Sequence, residues 1–294
     1  MVIIDKPFNG YRDVLLPMSE HCPMILNAAL AAAEHHVAVV HQHHSSRESA
    51  ARHYTAAIRG LMEHSTLEPP EHGMTATHIA TILLLLTSDL IAAGSDFQIL
   101  FSILKRLVDM SGSSEELRSG DTGSFLAQQV QKLCFYGEPF LREATDTELV
   151  TTGFSGAIES FHAQLQRNPE HSSVIIRLIG LIEQARDIYV HRALNDLPSD
   201  TMKSMVDRFL GTAGDIPVSS PGGHSLVWAY FIVAAESSDP HHRRFFVRKL
   251  RELWTGTGFA NTLTAIVELR RIWTIGSGQR WTYVLPSMAQ TFVM

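Results

Sequence analysis

Apolar residues recur at helical spacing from one end of this 294-residue chain to the other. No run alternates apolar and polar side chains over strand length before a hairpin turn. That pattern leaves packed helices as the way to bury a core. Ala50, Tyr54, Ala57, Ile58 and Leu61 follow one another at steps that keep them on one helix face, while Arg52, Arg59 and Glu63 mostly take the other. The segment Asp239–Trp254 is the best punctuated. Asp239 suits an N-cap, Pro240 suits a first helical position with no amide hydrogen to satisfy, and Phe246, Leu250, Leu253 and Trp254 form the stripe. Gly256 and Gly258 offer stops, after which Phe259, Leu263, Ile266, Leu269 and Trp273 repeat the spacing in an antiparallel partner helix. Helices are expected near 22–42, 47–64, 75–93, 96–110, 123–136, 153–166, 172–195, 200–211, 223–237, 240–255, 259–274 and 281–292. The expected fold is all-α, a single large multi-helix domain of about twelve helices over residues 1–294. Turn-rich stretches at Glu68–Gly73, Ser111–Gly123 and Gly211–Gly223 separate helices without forming an interdomain linker, and no fixed-period repeat points to a solenoid.

Composition narrows the function classes. With 45% hydrophobic and 18% charged residues the chain belongs with folded proteins rather than disordered ones. Two cysteines, Cys22 and Cys134, exclude a disulfide framework or a four-cysteine zinc site and fit a reducing compartment. Met1–Lys6 lacks the pattern of a secretory signal peptide. The longest apolar run, Ile79–Ser88, is about half the roughly 20 residues of a membrane span, and Asp89 follows it, so it reads as a buried helix and no membrane partner is expected. A net charge of −6 argues against a free-standing nucleic-acid binder.

Residues that carry chemistry are present without the arrangements chemistry needs. Glu34, His35, His36, His41, His43 and His44 crowd one helix end, but their spacing forms no i, i+4 chelate. They read as a polar helix end whose partly charged imidazoles suit the C-terminal dipole. A di-iron centre needs two Glu-x-x-His units, and only Glu159–His162 fits. There is no Gly-x-Ser-x-Gly elbow, no aspartate-rich metal run and no phosphate-binding glycine loop, and Cys134 reads as a small buried hydrophobe. The reading therefore assigns no catalytic residue, no metal ligand and no cofactor, and expects no enzyme. The run His241, His242, Arg243, Arg244, Arg248, Lys249 and Arg251 is interrupted by Glu252 and reads as a solvated helix face. Trp228, Tyr230 and Phe231 lie in a helix apolar nearly all round, which implies packing on several sides.

Three segments, in order, resemble the fungal-specific transcription factor domain found downstream of the binuclear zinc cluster in fungal regulators. Asn9–His36 (NGYRDVLLPMSEHCPMILNAALAAAEHH) is similar to its opening: an Asn-Pro-x-Arg-like turn, a Leu-Leu-Pro, then an alanine-rich helix ending in histidine, with Gly10 where proline is expected. Ala50–Leu61 (AARHYTAAIRGL) with Thr75–Gly94 (TATHIATILLLLTSDLIAAG) resembles its tyrosine helix and leucine-rich helix. His224–Trp273, followed by Trp281, resembles its Trp-containing helix, acidic small-residue turn, Arg-headed helix, Gly-x-x-Asn start and closing Trp. The resemblance implies a nuclear regulator whose domain controls DNA binding and activation rather than performing them. DNA would be reached only through a zinc cluster of six cysteines, which this sequence does not contain. Since some relatives sense a small apolar ligand such as a sterol, the first expectation is a ligand-sensing regulatory domain; the alternative is a ligand-free protein-interaction or dimerisation module acting as a transcriptional co-regulator, with other transcription proteins or a second copy in a homodimer as partners. No ligand-binding residue is named by the sequence. Helices 75–93, 172–195 and 225–236 are expected to enclose an apolar pocket of small-molecule size. The last two long helices are expected to pack on 225–236, with Trp228, Phe246, Leu250, Leu263, Ile266 and Trp273 largely buried.

Overall fold

Helix is the only regular structure among the described residues of the computed structural model, which are 8–65, 72–110, 120–141, 148–195, 200–275 and 279–288. A π-helical turn, Tyr11–Leu15, runs into α1 (Leu16–His21), then α2 (Pro23–His41), α3 (His44–Ser65), α4 (His72–Ala92) and α5 (Phe97–Met110). The chain continues through α6 (Gly120–Gly137), α7 (Glu148–Arg167), α8 (Ser172–Leu194), α9 (Asp200–Gly214), α10 (Val227–Glu236), α11 (Pro240–Thr257) and α12 (Asn261–Ile272). Short 3-10 turns at Trp281–Tyr283 and Leu285–Met288 end the described chain where one helix over 281–292 was expected; residues 289–292 of that expectation lie outside the described residues. The Glu68–Gly73 and Ser111–Gly123 turns fall largely outside them too, and Gly211–Gly223 begins inside α9 before it turns.

Two apolar helices organise the packing. Every residue of α4 from Ile79 to Leu86 is buried, with α2, α5, α6 and α12 against it. Every residue of α10 from Val227 to Ala235 is buried among α8, α9, α11 and α12, as its all-round apolar sequence requires. α8 buries Ile175, Leu178, Leu181, Ile182, Ala185 and Ile188, one helical stripe, between α7 and α9. The buried apolar side chains form one continuous core from Val14 to Met288.

Local rules explain the helix ends. The Asp239 carboxylate accepts from the His241 amide at 2.6 Å, Pro240 opens α11, and Gly258 closes it at φ 68°, a left-handed position that glycine takes without strain. The first helix was expected near 22, whereas the chain is helical from Tyr11. Pro17 sits in the first turn of α1, where proline costs nothing. Asn9 starts the opening turn: its side-chain oxygen accepts from Tyr11 at 3.0 Å, and Asp13 reaches back to the Asn9 amide at 2.8 Å, a reciprocal cap. A Cβ on Gly10 would stand 2.1 Å from the Phe125 ring, so the residue that departs from the resemblance is the one Phe125 packs on.

One expectation about the core is corrected. Leu263 of α12 and Trp273, which follows its last turn, are half-buried rather than buried, whereas Trp228, Phe246, Leu250 and Ile266 are buried as expected. None of the described cavities is walled by α4, α8 and α10 together. Around Trp228 aromatic rings pack directly, Phe135 and Tyr136 standing 5.1 and 5.5 Å from it.

The α4–α5 turn carries a pH-sensitive group. Asp89 is buried, accepts from the Asp96 amide at 3.2 Å, and faces the Asp96 carboxylate, which itself accepts from the Tyr54 hydroxyl at 2.9 Å. Burial first, and Asp96 in addition, push the Asp89 carboxyl up to about 6, against the opposing pull of the backbone amides. The folded state therefore holds this proton more tightly than the unfolded chain, so Asp89 costs stability as pH rises from about 4 through 6. Asp89→Asn, which keeps an acceptor oxygen, is expected to raise stability at pH 7 by about 1–3 kcal/mol and to give no gain at pH 4. Urea denaturation at the two pH values measures the difference.

Candidate regulatory site around Arg243 and Trp273

The basic face of α11 is not simply solvated. Arg244, Arg248 and Arg251 follow helical spacing along one wall of an open groove of about 750 Å3, with Val247 and Thr255; Arg270 of α12 and Trp273 just after it line it too. Five guanidinium groups line it, counting Arg243, and the one carboxylate among them is Glu252. Arg248 reaches Glu252 at 3.7 Å across exposed surface, a pair worth little. The guanidinium groups of Arg244, Arg251 and Arg270 are exposed and make no hydrogen bond or ion pair among the described residues. Lys249 departs from the solvated-face reading: it is buried and its Nζ donates to the Ile216 carbonyl at 3.1 Å.

Arg243 and Trp273 form the fixed edge of the groove. Arg243 Nε donates to the Ser237 carbonyl at 2.8 Å, its guanidinium lies 4.9 Å from the centre of the Trp273 ring, and Trp273 Nε1 donates to the Ala234 carbonyl at 2.8 Å. Behind them lies a half-enclosed pocket of about 270 Å3, bounded by Met202, Val206, Ile272, Ile275 and Trp281 and rimmed by Lys203, Ser238, His242 and Gln279. Glu236 is part of its wall. It pairs with Arg192, whose Nε donates to Oε2 at 2.7 Å and whose NH2 donates to Oε1, and Trp281 Nε1 donates to Oε2 at 2.9 Å. The ends of α8, α10, α11 and α12 thus meet at one place.

The other candidates from the sequence are structural here. His35 is half-buried against the Ser88 hydroxyl at 2.7 Å, and burial, then Arg47, lowers its pKa, so it favours the neutral form instead of serving the helix dipole as a charge. His36 Nε2 donates to the Thr257 carbonyl at 2.9 Å, tying α2 to the end of α11. Among the described residues no three His, Cys, Asp or Glu side chains gather as a metal site would require. Burial pushes the Cys134 thiol up to about 11, which disfavours the nucleophilic thiolate.

The groove could not be found in the sequence, because its second wall comes from α12. The α11 stripe was visible; that Arg270 and Trp273 stand opposite it was not. A family model described as the fungal specific transcription factor domain matches residues 1–136 and 138–289. No curated protein and no solved structure matches the chain.

Proposed function

The chain belongs to the fungal specific transcription factor domain family, and from that premise we propose that it regulates transcription, in the nucleus, as a protein-interaction module whose contact surface is the arginine groove. The family's role is regulatory rather than catalytic. The observation that carries the reading is the contrast of charge: a chain of net −6 gathers five arginines in one groove, three of them without an acceptor among the described residues. Planar guanidinium forks match carboxylates bidentately, and the Val247 and Trp273 side chains offer apolar contact between them. The partner this fits is an acidic segment of another transcription protein with apolar residues interleaved.

Fluorescence anisotropy of a labelled peptide alternating Asp and Glu with Leu and Phe tests it. The wild-type domain is expected to bind in the micromolar range, and the Arg244→Glu, Arg251→Glu, Arg270→Glu variant to bind about tenfold more weakly or worse. These three side chains are exposed, so the variant retains the core. Equal binding by the variant overturns the reading, as does tighter binding of duplex DNA than of the peptide in the same salt.

A second reading is favoured by the adjoining pocket. Its 270 Å3 is below the usual 300–1,000 Å3 of small-molecule sites, and its aromatic wall and charged rim suit a compact amphipathic molecule better than a sterol. Such a ligand, touching α9, α10, α11 and α12 together, would shift the groove by its differential affinity for two packings.

A further inference from the structure

We infer that the outer face of α2 is a self-association surface, which joins two copies of this chain through their α2 helices running antiparallel. The inference is independent of the groove. α2 and α4 are both long and apolar enough to cross a membrane, yet about 72% of the α4 window is buried against only 33% for α2. The exposed part of α2 is ordered by sequence: Leu26, Leu30, Ala33, Val37 and Val40 are exposed at steps of four, three, four and three. The large ones are 37–48% exposed, too much for side chains of a packed stripe.

That spacing identifies the occupant. A 4-3-4-3 apolar seam is the pattern one helix offers another in coiled-coil packing. A helix lying in a lipid interface carries Lys or Arg on its polar face with Trp, Phe or Leu opposite, and Pro23–His41 contains no Lys, Arg, Trp or Phe. The seam is also complementary to itself. In an antiparallel pair Leu26 of one copy can face Val37 of the other and Leu30 can face Ala33, which with the two-fold axis gives four aliphatic layers. Such a two-fold arrangement lets one surface patch serve both partners. The seam runs about 20 Å along one helix, so two copies cover less than the roughly 1,600 Å2 of a standard interface. Association is therefore weak and concentration-dependent.

Sedimentation equilibrium of the full chain tests this from low to high micromolar concentration. The average mass is expected to climb from 32.7 kDa towards twice that value. The Leu30→Glu, Val37→Glu variant is expected to stay monomeric with an unchanged circular dichroism spectrum and melting temperature, because both side chains point outward. A wild-type chain that stays monomeric throughout overturns the inference, and so does a variant that still dimerises. Co-sedimentation of the wild type, but not the variant, with phosphatidylcholine vesicles overturns it in favour of a lipid surface.

Discussion

Glu236→Ala is expected to destabilise the domain by about 3–5 kcal/mol, one of the two largest effects of any single substitution considered. The side chains of Arg192 and Glu236 are 6% and 5% exposed, so the pair is held out of water. Removing the carboxylate takes this buried partner from the guanidinium and the acceptor from Trp281 Nε1. The loss is one of pairing rather than of intrinsic strength, because buried ion pairs barely offset their own desolvation. Arg192→Met together with Glu236→Leu is therefore expected to recover most of the stability that either single change removes. Urea denaturation of the two singles and the double gives the coupling. A Glu236→Ala loss below about 1 kcal/mol would show that water reaches the pair.

Trp228→Ala is expected to cost a similar 3–5 kcal/mol, for a different reason. Trp228 is fully buried in the first turn of α10, in contact with Phe135 and Tyr136 of α6, and the truncation empties the core there. Its indole nitrogen has no acceptor among the described residues, so its contribution is packing. Trp228→Phe, which keeps a ring and gives up only that unpaired N–H and some volume, is expected to lose much less. Equal losses for Ala and Phe would mean that the indole N–H, not the ring, holds the site.

These two positions mark what a sequence can and cannot disclose. The role of Trp228 was legible, because a helix apolar on every side has nowhere to go but the centre. The caps of α11 were legible for a related reason: Asp239, Pro240 and Gly258 act on their own backbone neighbours. Arg192 and Glu236 stand 44 residues apart, and nothing local in either helix announces the partner. The seam on α2 was present as a periodicity, but α2 also carries Met24, Ile25, Ala28, Ala31 and Ala32 on an inner face, and sequence alone does not say which apolar face is covered. Whether apolar helices line a cavity or fill it is likewise not written in their spacing; around Trp228 the rings of Phe135 and Tyr136 pack directly.

The central claim, that this domain regulates transcription through contacts made in its arginine groove, is tested most directly by transcription itself. The chain, joined to a heterologous DNA-binding module, is to be compared with its Arg244→Glu, Arg251→Glu, Arg270→Glu variant on one reporter gene at matched protein levels and melting temperatures. Reporter output is predicted to change several-fold on charge reversal, in the direction opposite to the wild-type domain's own effect. Identical output from the two proteins would contradict the account.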